Sequence, residues 1–315
     1  MSIDRVATNQ QMQFFLSQLN QAGSTLDKTQ QQIASGKVAT TYAGFGDQTQ
    51  VLQATISADA RNSAYQTATQ LAITQTEMQD TQLSGLSDLA GQLKKALSDA
   101  VANNDGSSLM TQTQSIFDQA VAILNSKDAN GNYIYGGGRN DTPPVTVTSL
   151  SQLAGLGSVS SAFNNGNDRQ AVQVADGVTV SYGITASDAG TGLMQTLKDI
   201  AAFDAGGSGN FSGTTSMTPA QSSFATSEIG SATTMAVALN TTSAANGYVY
   251  NRLQDASTQQ GSMDTLYSGF ISKIQDTNMA TAATQLSLNQ TALQAALQVT
   301  ASLNQLSLLN YLPIK

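Results

Sequence analysis

Two stretches decide how this chain folds: QMQFFLSQLNQAGSTLDKTQQQIASG, residues 11–36, and LSLNQTALQAALQVTASLNQLSLLN, residues 286–310. In the first, Met12, Leu16, Leu19, Leu26 and Ile33 step by 4, 3, 7 and 7, a heptad seam with Gly23 and Gln30 as weak members. In the second, Leu286, Leu293, Leu297, Leu303 and Leu306 fall on one side of a predicted helix. Apolar stripes on helices are ordinarily core. Here each stripe lies at a chain end, with few apolar neighbours to cover it. The expectation is therefore packing between subunits, with the ends loose in a monomer, because one isolated amphipathic helix is marginal in water.

Working inward, Ser35-Gly36 ends the first helix, since Gly is the common C-terminal cap. Val38 to Asp47 reads as an ordered loop. A long helix follows to about Asn103, crossing Gly85 and Gly91, and the turn Asn103–Ser107 leads to a second helix over Leu109–Leu124. From Asn130 the texture changes to turns and short strands. Val145/Val147, Val172/Val174 and Val178/Val180/Tyr182/Ile184 alternate as strands do, with Asp176-Gly177 as a two-residue hairpin turn. A short helix over Leu193–Phe203 closes this region, and Gly206–Gly209 is a flexible boundary. Thr218-Pro219 opens a third long helix, which Asn246-Gly247 is expected to interrupt. Asp276-Thr277-Asn278 breaks it again before a last helix, Met279 to Asn310.

The fold class expected is mainly α with a small β-rich insertion (α+β), a long helical-bundle or coiled-coil rod made from both chain ends. Three domains are expected: 1–45 with 276–315 as a terminal coiled coil, 46–142 with 207–275 as a helical body, and 143–206 as a β-rich outer insert with a short helix.

Composition narrows the function. Of the 315 residues 40% are hydrophobic, enough for real cores, but only 11% are charged, against about a quarter in ordinary proteins. A neutral polar surface can pack against copies of itself without like-charge repulsion. The net charge of −8 disfavours nucleic acid as a partner. Cys and His are both absent, which removes disulfides, thiolate nucleophiles, the commonest general base and the commonest zinc ligand. No enzyme activity and no cofactor are expected. Asp128, Asn130 and Asn132 have the spacing of a calcium loop, but Tyr133 stands where Gly is needed and Arg139 where the bidentate Glu belongs, so a plain turn is the reading. Gly136–Gly138 is not followed by Lys-Ser/Thr and is no phosphate loop. Met1 to Thr8 lacks the basic run and apolar core of a cleaved secretory signal, and no stretch approaches the ~20 apolar residues of a membrane span.

Several short motifs, in order and spacing together, resemble the bacterial flagellin family. They are Ser35-Gly36-Lys37 at the end of the first helix, Asn251-Arg252-Leu253 in the body, and the Leu-rich terminal helix. Within that family, Tyr133-Ile134-Tyr135-Gly136-Gly137 followed by Asp141-Thr142-Pro143-Pro144 is similar to an element of the hook–filament junction proteins, the third hook-associated proteins. Val38–Gly44 departs from the Asp-Asp-Pro/Ala segment of many relatives. The resemblance implies a self-assembling structural component at the junction of the flagellar hook and filament. It also implies an extracellular protein, exported without a cleaved signal peptide. The implied partners are further copies of the chain in a ring or helical assembly, the preceding hook-associated protein, flagellin and an export chaperone. Two alternatives stay open: a filament flagellin, and a surface glycan-binding homologue that uses the insert.

Overall fold

A computed structural model describes residues 3–309 except 208 and 214, with side chains at the two ends (up to 9, 11, and from 303 on) outside the description. Among the described residues, seven helices and one hairpin follow in order: α1 (Ile3–Ser35), α2 (Thr49–Asn103), α3 (Leu109–Leu124), α4 (Leu150–Ala154), strands β1 (Gln170–Ala175) and β2 (Val178–Tyr182), α5 (Ala186–Ala205), α6 (Pro219–Gln275) and α7 (Met279–Leu309). Short 3-10 turns lie at Tyr42–Gln48 and Val159–Ala162. The class is mainly α with a small β insertion. The chain divides into two compact units, residues 1–61 with 263–315, and residues 62–262. Both divisions fall inside long helices, α2 and α6.

Local chemistry sets the helix boundaries. Thr218 and Gln221 cap α6 reciprocally: Gln221 N–H donates to Thr218 Oγ1 (3.2 Å) and Thr218 N–H to Gln221 Oε1 (2.7 Å). Thr185 and Asp188 do the same for α5, which therefore starts at Ala186, well before Leu193. Asn278 Oδ1 accepts Thr281 N–H (3.1 Å) at the head of α7. Asn246-Gly247 does not interrupt α6: the Asn246 amide donates to Thr76 O (2.9 Å), so its side chain is committed across the helix pair. Val145 and Val147 do not form a strand. Val145 makes one isolated bridge, to Phe163, and both valines face the core, so their alternation records burial without a ladder.

In the unit of residues 62–262, Leu83, Leu86, Leu93 and Leu97 of α2 pack on Ile116, Phe117 and Leu124 of α3. Leu193, Leu197 and Ile200 of α5, and Met235 and Leu239 of α6, join the same core. Val145, Val147, Leu150 and Leu153 belong to it too, so burial is continuous between helical body and insert. A second cluster sets Val172, Val174, Val180 and Tyr182 of the hairpin on Ala72, Ile73 and Leu253.

Below the apolar block the α2–α6 seam turns polar. Asn62, Thr69 and Thr76 recur every seven residues on α2, and Asn246 and Gln260 flank Leu253 on α6. All five polar residues are buried. Asn62 Nδ2 donates to Gln260 O (2.9 Å), and Gln260 Nε2 donates to Thr69 Oγ1 (3.0 Å) and to Val174 O (2.7 Å) in β1. Buried amides are tolerated when their hydrogen bonds are made within the structure, as most are here.

One buried carboxylate is only partly compensated. Glu228 on α6 is buried and its Oε2 has no hydrogen-bond partner. Burial first, and the nearby Asp199 charge second, push its pKa above the ordinary carboxyl value, against a smaller opposing effect of the Ser231 hydroxyl. As pH rises past the ordinary value of about 4.3, the unfolded chain releases a proton that the folded chain still holds, so stability falls through that window. Glu228→Gln is therefore expected to raise the melting temperature at neutral pH. The gain should shrink as pH drops below about 4, where Glu228 is protonated in both states. Thermal melts of both proteins across pH check this.

Candidate assembly interface

In the unit formed by the two chain ends, α1 and α7 pack against each other. A backbone joint holds their inner ends. Gly36, at φ 69°, ends α1 in the left-handed conformation that Gly adopts most cheaply. Its carbonyl then accepts Thr277 N–H (2.8 Å), and Val38 N–H donates to Gln275 O (2.8 Å). Ser35 Oγ accepts Lys37 N–H (3.2 Å), and Lys37 bridges Asp276. Thus Ser35-Gly36-Lys37 fastens the end of α1 to the break between α6 and α7.

The most buried positions along the α1–α7 pair are small or polar. Gln285 donates to Asn289 Oδ1 (3.0 Å), Asn289 Nδ2 to Thr29 Oγ1 (2.9 Å), and Thr29 to Thr25 O (2.9 Å). Met12, Leu19, Leu26, Ile33, Leu286 and Leu293 are half-buried. Leu16 and Leu297 are exposed, at 46% and 50%. The side chains of Leu303 and Leu306 lie outside the described residues. Phe14, Leu288 and Val299 are exposed as well. Nothing in a Leu-to-Leu count marks Thr29, Ala282 and Asn289 as the inward positions; only their heptad spacing (Ala282 to Asn289) does.

Among the described side chains of this unit, Leu52 and Ala282 are the only buried apolar ones, although most of the chain's exposed large apolar side chains fall in it. Its helices present apolar surface without a core of their own. Completing the burial of one exposed Leu contributes roughly 1–2 kcal/mol, repeated for every such side chain a neighbour covers.

The Tyr133–Pro144 element lies in the other unit and is architectural. Tyr135 is fully buried, and Gln79 Nε2 donates to Ile134 O and Ile184 O on either side. Lys127 Nζ stands 4.6 Å over the Tyr133 ring. Gly136 O accepts Gly166 N–H (2.8 Å), and Pro144 O accepts Asn164 N–H (2.7 Å). Thr142 is half-buried, while Asp141, Pro143, Asn251 and Arg252 are exposed. The Tyr135 hydroxyl has no partner, and burial raises its pKa above the ordinary phenol range. Tyr135→Phe removes an unsatisfied polar group without changing shape. It should stabilise the fold by about 1 kcal/mol, measured by urea unfolding.

Asp128 heads a plain turn, its Oδ1 accepting Asn130 N–H and Asn132 N–H (both 2.9 Å). Among the described residues no group of three or more His, Cys, Asp or Glu is placed to hold a metal ion. No described helix is long and apolar enough to cross a membrane.

Residues 228–312 match the family model of the bacterial flagellin C-terminal helical region. Among solved structures, a flagellar hook-associated protein from Vibrio parahaemolyticus aligns over 71% of this chain and 96% of its own, at 17% identity and a TM-score of 0.57. FlgL from Bacillus cereus aligns over 69% and 96%, at 14% identity and 0.51. No curated protein matches by sequence. The chain thus has the fold of these hook-associated structures and carries a flagellin C-terminal helical region.

Proposed function

We propose that this protein is a structural, non-catalytic component of the bacterial flagellum that assembles at the hook–filament junction. The observation that carries the reading is the terminal unit with almost no buried apolar core and many exposed apolar side chains. Residues 1–45 and 276–315 form the layer that meets neighbouring copies. The ordering entropy of α1 and α7 is offset when neighbours cover Leu16, Leu297 and the half-buried seam. Different patches meet, so copies build a ring or a helix. The partners are other copies of the chain, the preceding hook-associated protein on one side and flagellin on the other. An export chaperone holds the chain before assembly, and the destination is extracellular.

A filament flagellin is the second reading. The Tyr133–Gly137 and Asp141–Pro144 element favours the junction, as does the fold shared with hook-associated structures. Immunogold microscopy of intact cells, with antibody to residues 143–205, tests the choice. A single band between hook and filament is expected. Label along the whole filament would make this a flagellin, and label on the cell body alone would overturn both readings.

A further inference from the structure

The chain contains three Asn-Gly dipeptides, and the structure treats them differently. We propose that Asn130 is a site of spontaneous deamidation in the folded protein, and that Asp128 sets its rate. At Asn-Gly the amide nitrogen of the Gly can attack the Asn side chain, because no Cβ obstructs it. Here Gly131 N would bond to Asn130 Cγ as its amide proton is lost, and the Cγ–Nδ2 bond would break, releasing ammonia. Water then opens the five-membered imide at either carbonyl, giving aspartate or isoaspartate. One water is consumed, one ammonia leaves, and nothing is oxidised.

Asn246-Gly247 is closed to this reaction. It lies within α6, where its backbone amides are helix-bonded, and its buried side-chain amide donates to Thr76 O. Asn165-Gly166 is held at both ends of the side chain. Nδ2 donates to Gly166 O (2.8 Å) and Ser187 Oγ (3.0 Å), and Oδ1 accepts Ser187 N–H (3.1 Å). Gly166 itself is packed against Gly137 O. Asn130, by contrast, is exposed, and the space beside Gly131 is open to 4 Å. What restrains it is the turn. Gly131 N–H donates to Asp128 O (3.0 Å), and the Asp128 carboxylate holds the N–H groups on both sides of the pair. Attack requires that turn to open, a local event in a surface loop.

The product places a second carboxylate beside Asp128, and isoaspartate lengthens the backbone by one methylene just before Tyr133. The modification therefore loosens the turn that pairs Lys127 with Tyr133.

The test is peptide mapping by mass spectrometry of the full-length protein, held folded at mildly alkaline pH and, in parallel, in denaturant. In the folded protein, Asn130 is expected to convert about tenfold or more faster than Asn165 and Asn246, which need larger openings. In denaturant all three should convert at similar rates. Asp128→Ala should speed conversion at Asn130 roughly tenfold, the scale of one lost hydrogen bond to a charged acceptor, and leave Asn246 unchanged. Asn130 reacting no faster than Asn246 in the folded protein would overturn the assignment. An unchanged rate in Asp128→Ala would overturn the role given to Asp128.

Discussion

Leu297→Asp, alone or with Leu293→Asp, is expected to abolish assembly while leaving a folded monomer. In the monomer Leu297 is half exposed, so a carboxylate there stays in water at little cost. In the assembly proposed above, the same position would lose an apolar contact and bury an unpaired charge. That costs about 3 kcal/mol or more per contact, over a hundredfold in affinity. The contact recurs at every subunit, so the loss recurs too. Leu293 is half-buried along the α1–α7 pair, and the double variant should also loosen that pair. Pelleting of purified protein and incorporation into flagella report assembly; circular dichroism melts report folding. Unchanged melting of the Leu83–Leu97 core with no incorporation is the expected result. Normal incorporation of the double variant would refute the assembly mechanism.

The second large effect is expected at Gly137. Its φ is 57°, and a Cβ there would stand 2.2 Å from Gly166 O. The contact is reciprocal, for a Cβ on Gly166 would stand 2.0 Å from Gly137 O. Both atoms are backbone, so neither can turn aside. Gly137→Val combines left-handed strain with overpacking, about 3–5 kcal/mol together. For a unit of this size that is a fall of roughly 10 °C or more in melting temperature. Gly177→Ala is the control. It has φ 73° with nothing within 4 Å, so only the conformational cost remains, about 1 kcal/mol. Equal losses in the two variants would show that the Gly137–Gly166 approach does not hold the loop.

These features were unequally legible in the sequence. The ends of α1 at Gly36, of α2 at Asn103 and of α6 at the 276–278 break could be read directly, because caps and turn residues act locally. So could the hairpin, where Asp176-Gly177 separates alternating valines. The failures are tertiary. Asn246-Gly247 carries a breaker signal that a cross-helix hydrogen bond overrides. Val145 and Val147 alternate like a strand, yet only one bridge forms. Thr185-x-x-Asp188 is a capping box in plain view, but the apolar run beginning at Leu193 drew the boundary too late. Along α7, leucines attract the eye, whereas Ala282 and Asn289 are the buried positions, and Asn289 bonds Thr29 of α1. Periodicity locates a seam, but which residues fill it depends on helix separation, which no single helix encodes.

The amides between α2 and α6 also make that pair a toothed rack instead of a smooth bearing. A purely leucine seam looks the same after a slip of one heptad. Here such a slip would carry Gln260 away from Thr69 and Val174, and Asn246 away from Thr76. Each orphaned buried amide costs about 1–3 kcal/mol. Within residues 62–262 the two helices are therefore indexed to a single register.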